Sequence, residues 1–92
     1  MSVLKSGVFT YQLREETLVI TESMGVRMVS IFNGTAVNGT YLGDQSLNGF
    51  APSPIGIGEN ETATVVAIEA SVIKGLTIEA PRGCTLKVIA IV

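Results

Sequence analysis

Residues 75–92 read GLTIEAPRGCTLKVIAIV, and this stretch decides the fold. Leu76, Ile78 and Ala80 alternate with Thr77 and Glu79, the period-2 signature of a strand with one buried face. Pro81-Arg82-Gly83 interrupts the run, and a β-rich stretch returns from Cys84 to Val92. The pattern predicts strand, turn, strand: a hairpin on which the chain is assembled. On its second strand Leu86, Val88, Ala90 and Val92 share one face, yet Ile89 and Ile91 occupy the other. A half-solvated strand would carry polar residues there, so the sequence predicts cover on both faces.

Working back along the chain, the same chemistry recurs. Thr17 to Glu22 alternates Leu18 and Ile20 with Thr17, Val19 and Thr21, and Val26 to Phe32 sets Val26, Met28 and Phe32 against Val29 and Ile31. Val3 to Leu13 reads as a strand kinked at Gly7. Between Asn33 and Pro54 the Asn-Gly pairs at 33, 38 and 48 predict tight turns and short edge strands, because both residues tolerate positive φ. Thr62 to Ile68 reads as another strand. A helix from Thr62 to Ile73 is the competing reading, and the β-branched residues in TATVVAIEASVI weigh against it. No segment sustains a 3.6-residue apolar period. The expected fold is therefore all-β: a small antiparallel β-sandwich, jelly-roll-like, of seven to eight short strands in one domain spanning 1–92.

Composition narrows the function. The chain is 47% apolar but only 15% charged, and Met28 to Gly58 holds a single charge, Asp44. Such a surface is poorly defended against association, which favours an oligomer. A net charge of −2 and the lack of any Lys/Arg cluster leave no footprint for a nucleic acid backbone. No apolar run approaches the roughly 18 residues of a membrane span, and Met1 to Lys5 lacks the apolar core of a signal peptide. The expectation is a chain made in a cytoplasm.

No catalytic constellation is visible. With no histidine in the chain, neither a Ser-His nor a Cys-His pair can form, and zinc would lack its usual ligands. The lone Cys84 excludes an internal disulfide and reads as a buried filler. Gly56-Ile57-Gly58 lacks the third glycine of a dinucleotide loop. The carboxylates lie mostly at turns or on solvated faces; a pair across a cleft stays open from sequence, as does a calcium contribution from Glu59 and Glu61, which read more simply as a solvated turn. Asn33-Gly34-Thr35, Asn38-Gly39-Thr40 and Asn60-Glu61-Thr62 match a glycosylation acceptor but also read as turns entering strands. We expect no enzyme, no metal and no cofactor. Two kinds of binding residue remain. Val29, Ile31, Ile89 and Ile91 are the candidate oligomer interface; in the alternative they belong to the second sheet of a self-sufficient sandwich. Tyr41 and Phe50, in an amide-rich segment, are candidate ligand contacts that could stack on a sugar ring, the alternative function being a carbohydrate-binding module.

From Gly58 onwards the sequence GENETATVVAIEASVIKGLTIEAPRGCTLKVIAIV resembles the closing strands of small β-sandwich proteins of tailed bacteriophage virions. The Gly58-Glu59 turn, the Thr62 to Ala67 strand, the Gly75 to Pro81 strand, the Gly83 turn and the Leu86 to Val92 strand carry the likeness, and VSIFNG at Val29 to Gly34 is similar in flavour. The resemblance implies a structural protein, a capsid decoration, head-fibre or tail component. It would assemble with itself as a trimer or higher ring and with other virion proteins, reaching the virion from the host bacterial cytoplasm.

Overall fold

A computed structural model describes residues 7–42, 54–67 and 72–92. Eight strands form in chain order: β1 (Val8–Arg14), β2 (Thr17–Thr21), β3 (Met28–Asn33), β4 (Gly39–Leu42), β5 (Ile55–Ile57), β6 (Thr62–Val66), β7 (Gly75–Glu79) and β8 (Thr85–Ile91), with one 3-10 turn at Glu22–Met24. They build two four-stranded antiparallel sheets, one ordered β1-β8-β3-β6 (the outer sheet below) and one ordered β2-β7-β4-β5 (the second sheet). That order is a jelly roll, and the all-β sandwich of eight strands matches the class expected from the alternation. Among the described residues no helix is long and apolar enough to cross a membrane.

The expected C-terminal hairpin is corrected. β7 and β8 do not pair: β7 lies between β2 and β4, while β8 lies between β1 and β3. The turn at Pro81 to Gly83, with Gly83 at φ 83° and the Cys84 N–H bonded to the Pro81 carbonyl at 2.9 Å, carries the chain over the core from one sheet to the other. The inward rows Leu76 and Ile78, and Leu86 and Val88, therefore face each other across the sandwich and are fully buried. The link from β1 to β2 crosses beside it, with Glu15 at φ 51°. Glu15 ties the two crossings together: its N–H donates to the Cys84 carbonyl at 3.2 Å and its carboxylate accepts from the Gly83 N–H at 2.9 Å.

The competing helix is also excluded over Thr62–Val66, which pairs with β3 from Val66 opposite Met28 to Thr62 opposite Phe32. Leu13, Ile20, Val29, Ile31, Ile57, Val65 and Ile73 are among the residues that join them in the core with Cys84. At Gly39 the two sheets touch: a Cβ there would lie 2.7 Å from Leu86 Cδ1, so the position admits no side chain without displacing a buried leucine.

Candidate functional site

Register decides which of the candidate interface residues reach the surface. Residues directly opposite in antiparallel strands share a face. Val29 lies opposite Ala90 and Ile31 opposite Val88, so both point into the core and are 0% exposed. Ile89 and Ile91 lie opposite Ser30 and Met28 on the other face and are half-buried. The four residues thus do not form one surface. Val29 and Ile31 hold the sandwich together, and Ile89 and Ile91 belong to the outer face of the β1-β8-β3-β6 sheet.

That outer face has a graded chemistry. At one end Val8, Ile91, Met28 and Val66 stand side by side across the four strands, Val8 61% and Val66 53% exposed. The next row is Thr10, Ile89, Ser30 and Thr64, and the third is Gln12, Lys87, Phe32 and Thr62. Its only charges are the cations Lys87 and Arg14, at the far end from the valines. No described element packs over this face. Sequence periodicity places Ile89 and Ile91 here but misses Val8, Met28 and Val66, whose common row appears only once the register is known.

A second apolar feature opens between the edges of β1 and β2. Phe9, Tyr11, Leu18, Ile20, Val26 and Val88 line most of a slot of about 200 Å³. At its rim the Tyr11 hydroxyl donates to the Glu16 carboxylate at 2.6 Å. That bond, with the negative charge of Glu16 beside it, holds the phenol above its ordinary pKa. Glu16→Gln is expected to lower the Tyr11 transition towards the ordinary tyrosine value, read by ultraviolet titration in a Tyr41→Phe background. A transition that does not move would place the hydroxyl elsewhere. The raised pKa means that any stability from this bond is present below the ordinary tyrosine range and is lost as pH climbs through the raised value.

Of the two candidate ligand contacts, Tyr41 is half-buried against the core and lines a shallow cleft with Gly56, Ile57, Glu61, Thr62 and Ala63. Phe50 lies outside the described residues. Among the described residues no three His, Cys, Asp or Glu side chains gather as a metal site. Glu61, a calcium candidate in the sequence, instead accepts the Gly58 N–H at 2.6 Å within the turn where Asn60 takes φ 64°. Cys84 is fully buried, its sulfur 4.0 Å from Asn33 Oδ1.

Asn33 is a buried polar group that the sequence does not reveal as one. It is 0% exposed, yet every polar atom of its amide is used. Nδ2 donates to the Ile57 carbonyl at 2.8 Å and the Val37 carbonyl at 2.9 Å, while Oδ1 accepts from the Thr35 N–H at 2.8 Å and from the Thr35 hydroxyl. One amide thereby binds the end of β3, the following turn and β5. Its role is architectural.

The fold and surface together define a small jelly-roll sandwich whose outer sheet is apolar at one end and carries Arg14 and Lys87 at the other. No family model and no curated protein matches the sequence. Among solved structures, the chain is similar to protein NMB1881 from Neisseria meningitidis, with a TM-score of 0.57 over 92% of this chain and 72% of that one at 15% identity. It is also similar to PirA, with a TM-score of 0.52 over 99% and 97% of the two chains at 12% identity. At these identities the likeness shows the fold alone.

Proposed function

We propose that this chain is a non-enzymatic structural subunit that assembles with copies of itself on the capsid or tail of a tailed bacteriophage. The observation that carries self-assembly is the outer face of the β1-β8-β3-β6 sheet, where Val8, Ile91, Met28 and Val66 form an apolar row with Ile89 beside it. Burying apolar surface contributes about 25 cal/mol per Å², so a row of this kind is stabilised by a covering neighbour. The virion setting rests on the resemblance of Gly58 to Val92 to the closing strands of phage β-sandwich proteins.

Light scattering coupled to size exclusion, at several concentrations, tests the assembly. The expected mass is a multiple of 9.6 kDa that survives dilution. Ile91→Asp, which adds a charge to the outer face without entering the core, is expected to lower it. A parent protein that is monomeric at every concentration would remove the proposal.

A further inference from the structure

We propose that the two edge strands of the outer sheet, β1 and β6, are complementary halves of one joint, so that β1 of one copy pairs antiparallel with β6 of the next and the sheet continues from subunit to subunit. The inference deepens the self-assembly reading above and rests on it.

The backbone geometry sets the terms. The Val92 N–H bonds the Gly7 carbonyl at 3.0 Å, and the Glu15 N–H bonds the Cys84 carbonyl at 3.2 Å. Both pairs lie in the register that sets Val8 opposite Ile91, so the odd-numbered residues of β1 bond to β8. The N–H and C=O groups of Val8, Thr10 and Gln12 consequently point out of the sheet. On β6 the same logic holds: the Ala67 N–H bonds the Arg27 carbonyl at 2.9 Å and the Asn33 N–H bonds the Glu61 carbonyl at 3.0 Å, leaving Thr62, Thr64 and Val66 to face outward. Among the described residues no strand pairs with either edge.

Natural edges are blunted by charge, proline, bulges or brevity. β1 is seven residues long with only Arg14 charged, and β6 is five uncharged residues, TATVV. The second sheet is better defended. On β2 the outward N–H of Thr21 is taken by Met24 Sδ at 3.2 Å, and β5 is three residues long and follows Pro54.

The two edges also match in direction, face and chemistry. Within the sheet each strand is antiparallel to its neighbour, so β1 and β6 run in opposite senses. A copy translated along the sheet presents its β1 antiparallel to the first copy's β6. Outward groups are even-numbered on both, so bonded pairs keep core face with core face. Extending the existing rows level across the joint sets Val66 against Val8 of the next copy, Val65 against Phe9, Thr64 against Thr10, Ala63 against Tyr11 and Thr62 against Gln12. Like meets like on both faces, and Phe9 and Tyr11, 54% and 47% exposed in the single chain, gain apolar neighbours. β1 paired with itself about Tyr11 would instead set Arg14 against Val8. Where successive copies are also rotated so that the last meets the first, such a head-to-tail joint makes a ring with no free edge in this sheet; without that closure it makes an open filament.

Proline tests the joint because positions 10 and 64 give no backbone N–H to their own sheet, where an edge strand tolerates it. Thr10→Pro and Thr64→Pro are each expected to bring the parent oligomer down to single chains. Mixed together, they should form pairs and nothing larger, since each retains the edge the other has lost. Charge variants repeat the test without touching the backbone: Thr10→Lys with Thr64→Lys should dissociate the assembly, and Thr10→Lys with Thr64→Glu should retain it. An oligomer that Thr64→Pro leaves intact while Thr10→Pro dissolves would show β1 pairing with itself and overturn the joint. An oligomer unmoved by either proline, or charge pairs that behave alike, would also overturn it, leaving assembly to the outer face. A monomeric parent would end the assembly reading as well.

Discussion

Asn33→Ala is expected to cost about 2–4 kcal/mol, lowering the urea midpoint with little change in slope. The loss is large because the amide is fully buried and joins three pieces of chain: the end of β3, the Thr35 to Val37 turn, and β5 through the Ile57 carbonyl. Alanine removes two donors and one acceptor and leaves the Ile57 carbonyl buried without its partner. Against a total stability of roughly 5–15 kcal/mol for a domain, this is a substantial fraction. Asn33→Asp keeps the shape but turns the donors into a carboxylate oxygen facing two carbonyls. The carboxyl introduced there would be buried, with a folded-state pKa above its unfolded value. Stability of that variant is expected to be least impaired below about 4, the ordinary aspartate value, and to fall as pH rises from there through the raised folded-state value. An alanine variant with the parent's midpoint would show that these bonds contribute nothing net.

The alternation of apolar residues is enough to place the strands and to predict a sandwich, because a period of two is a local property of the backbone. What lies beyond it is pairing. The rows Leu76, Ile78 and Leu86, Val88 look the same whether β7 and β8 lie side by side or face each other across a core, and the turn at Pro81 to Gly83 permits both. The structure takes the second course, since β2 and β4 occupy the two flanks of β7. The same limit splits the candidate interface. Val29 and Ile31 group with Ile89 and Ile91 in the sequence because all four lie on the second apolar face of their own strands, and only the pairing of Val29 with Ala90 shows that the faces differ.

Asn33 is hidden for a different reason. Asn-Gly is a strong turn signal, so the residue reads as solvated. A signal is nonetheless present: Val29, Ile31 and Asn33 fall on one alternating row, and continuing that row inward puts a polar side chain where only a fully bonded one is tolerated. The outer row of Val8, Ile91, Met28 and Val66 has no such signal. Its members come from four strands distant in sequence and meet only through the register.

Ile31 and Ile91 carry the sharpest contrast that follows from this geometry. Both are isoleucines on central strands of the same sheet, opposite in the direction they face. Ile31 is 0% exposed, set between Val88 and Ala63 on the core side. Ile31→Ala is expected to cost about 2–5 kcal/mol, combining the lost transfer energy with the cavity left among packed core neighbours that relax only in part. At the upper end that is a third or more of the roughly 5–15 kcal/mol that holds a domain together. Ile91 lies half-buried beside Val8 and Met28 on the outer face. Ile91→Ala is expected to cost the isolated fold about 1 kcal/mol, because the cut-back side chain opens to solvent and creates no closed cavity. Thermal unfolding and light scattering on the two variants separate the roles. Ile31→Ala should lower the melting temperature of whatever species is present, while Ile91→Ala should act mainly on mass at low concentration. Equal losses of stability with unchanged mass would mean that the outer row serves the fold alone, and the case for an interface on that face would fall with it.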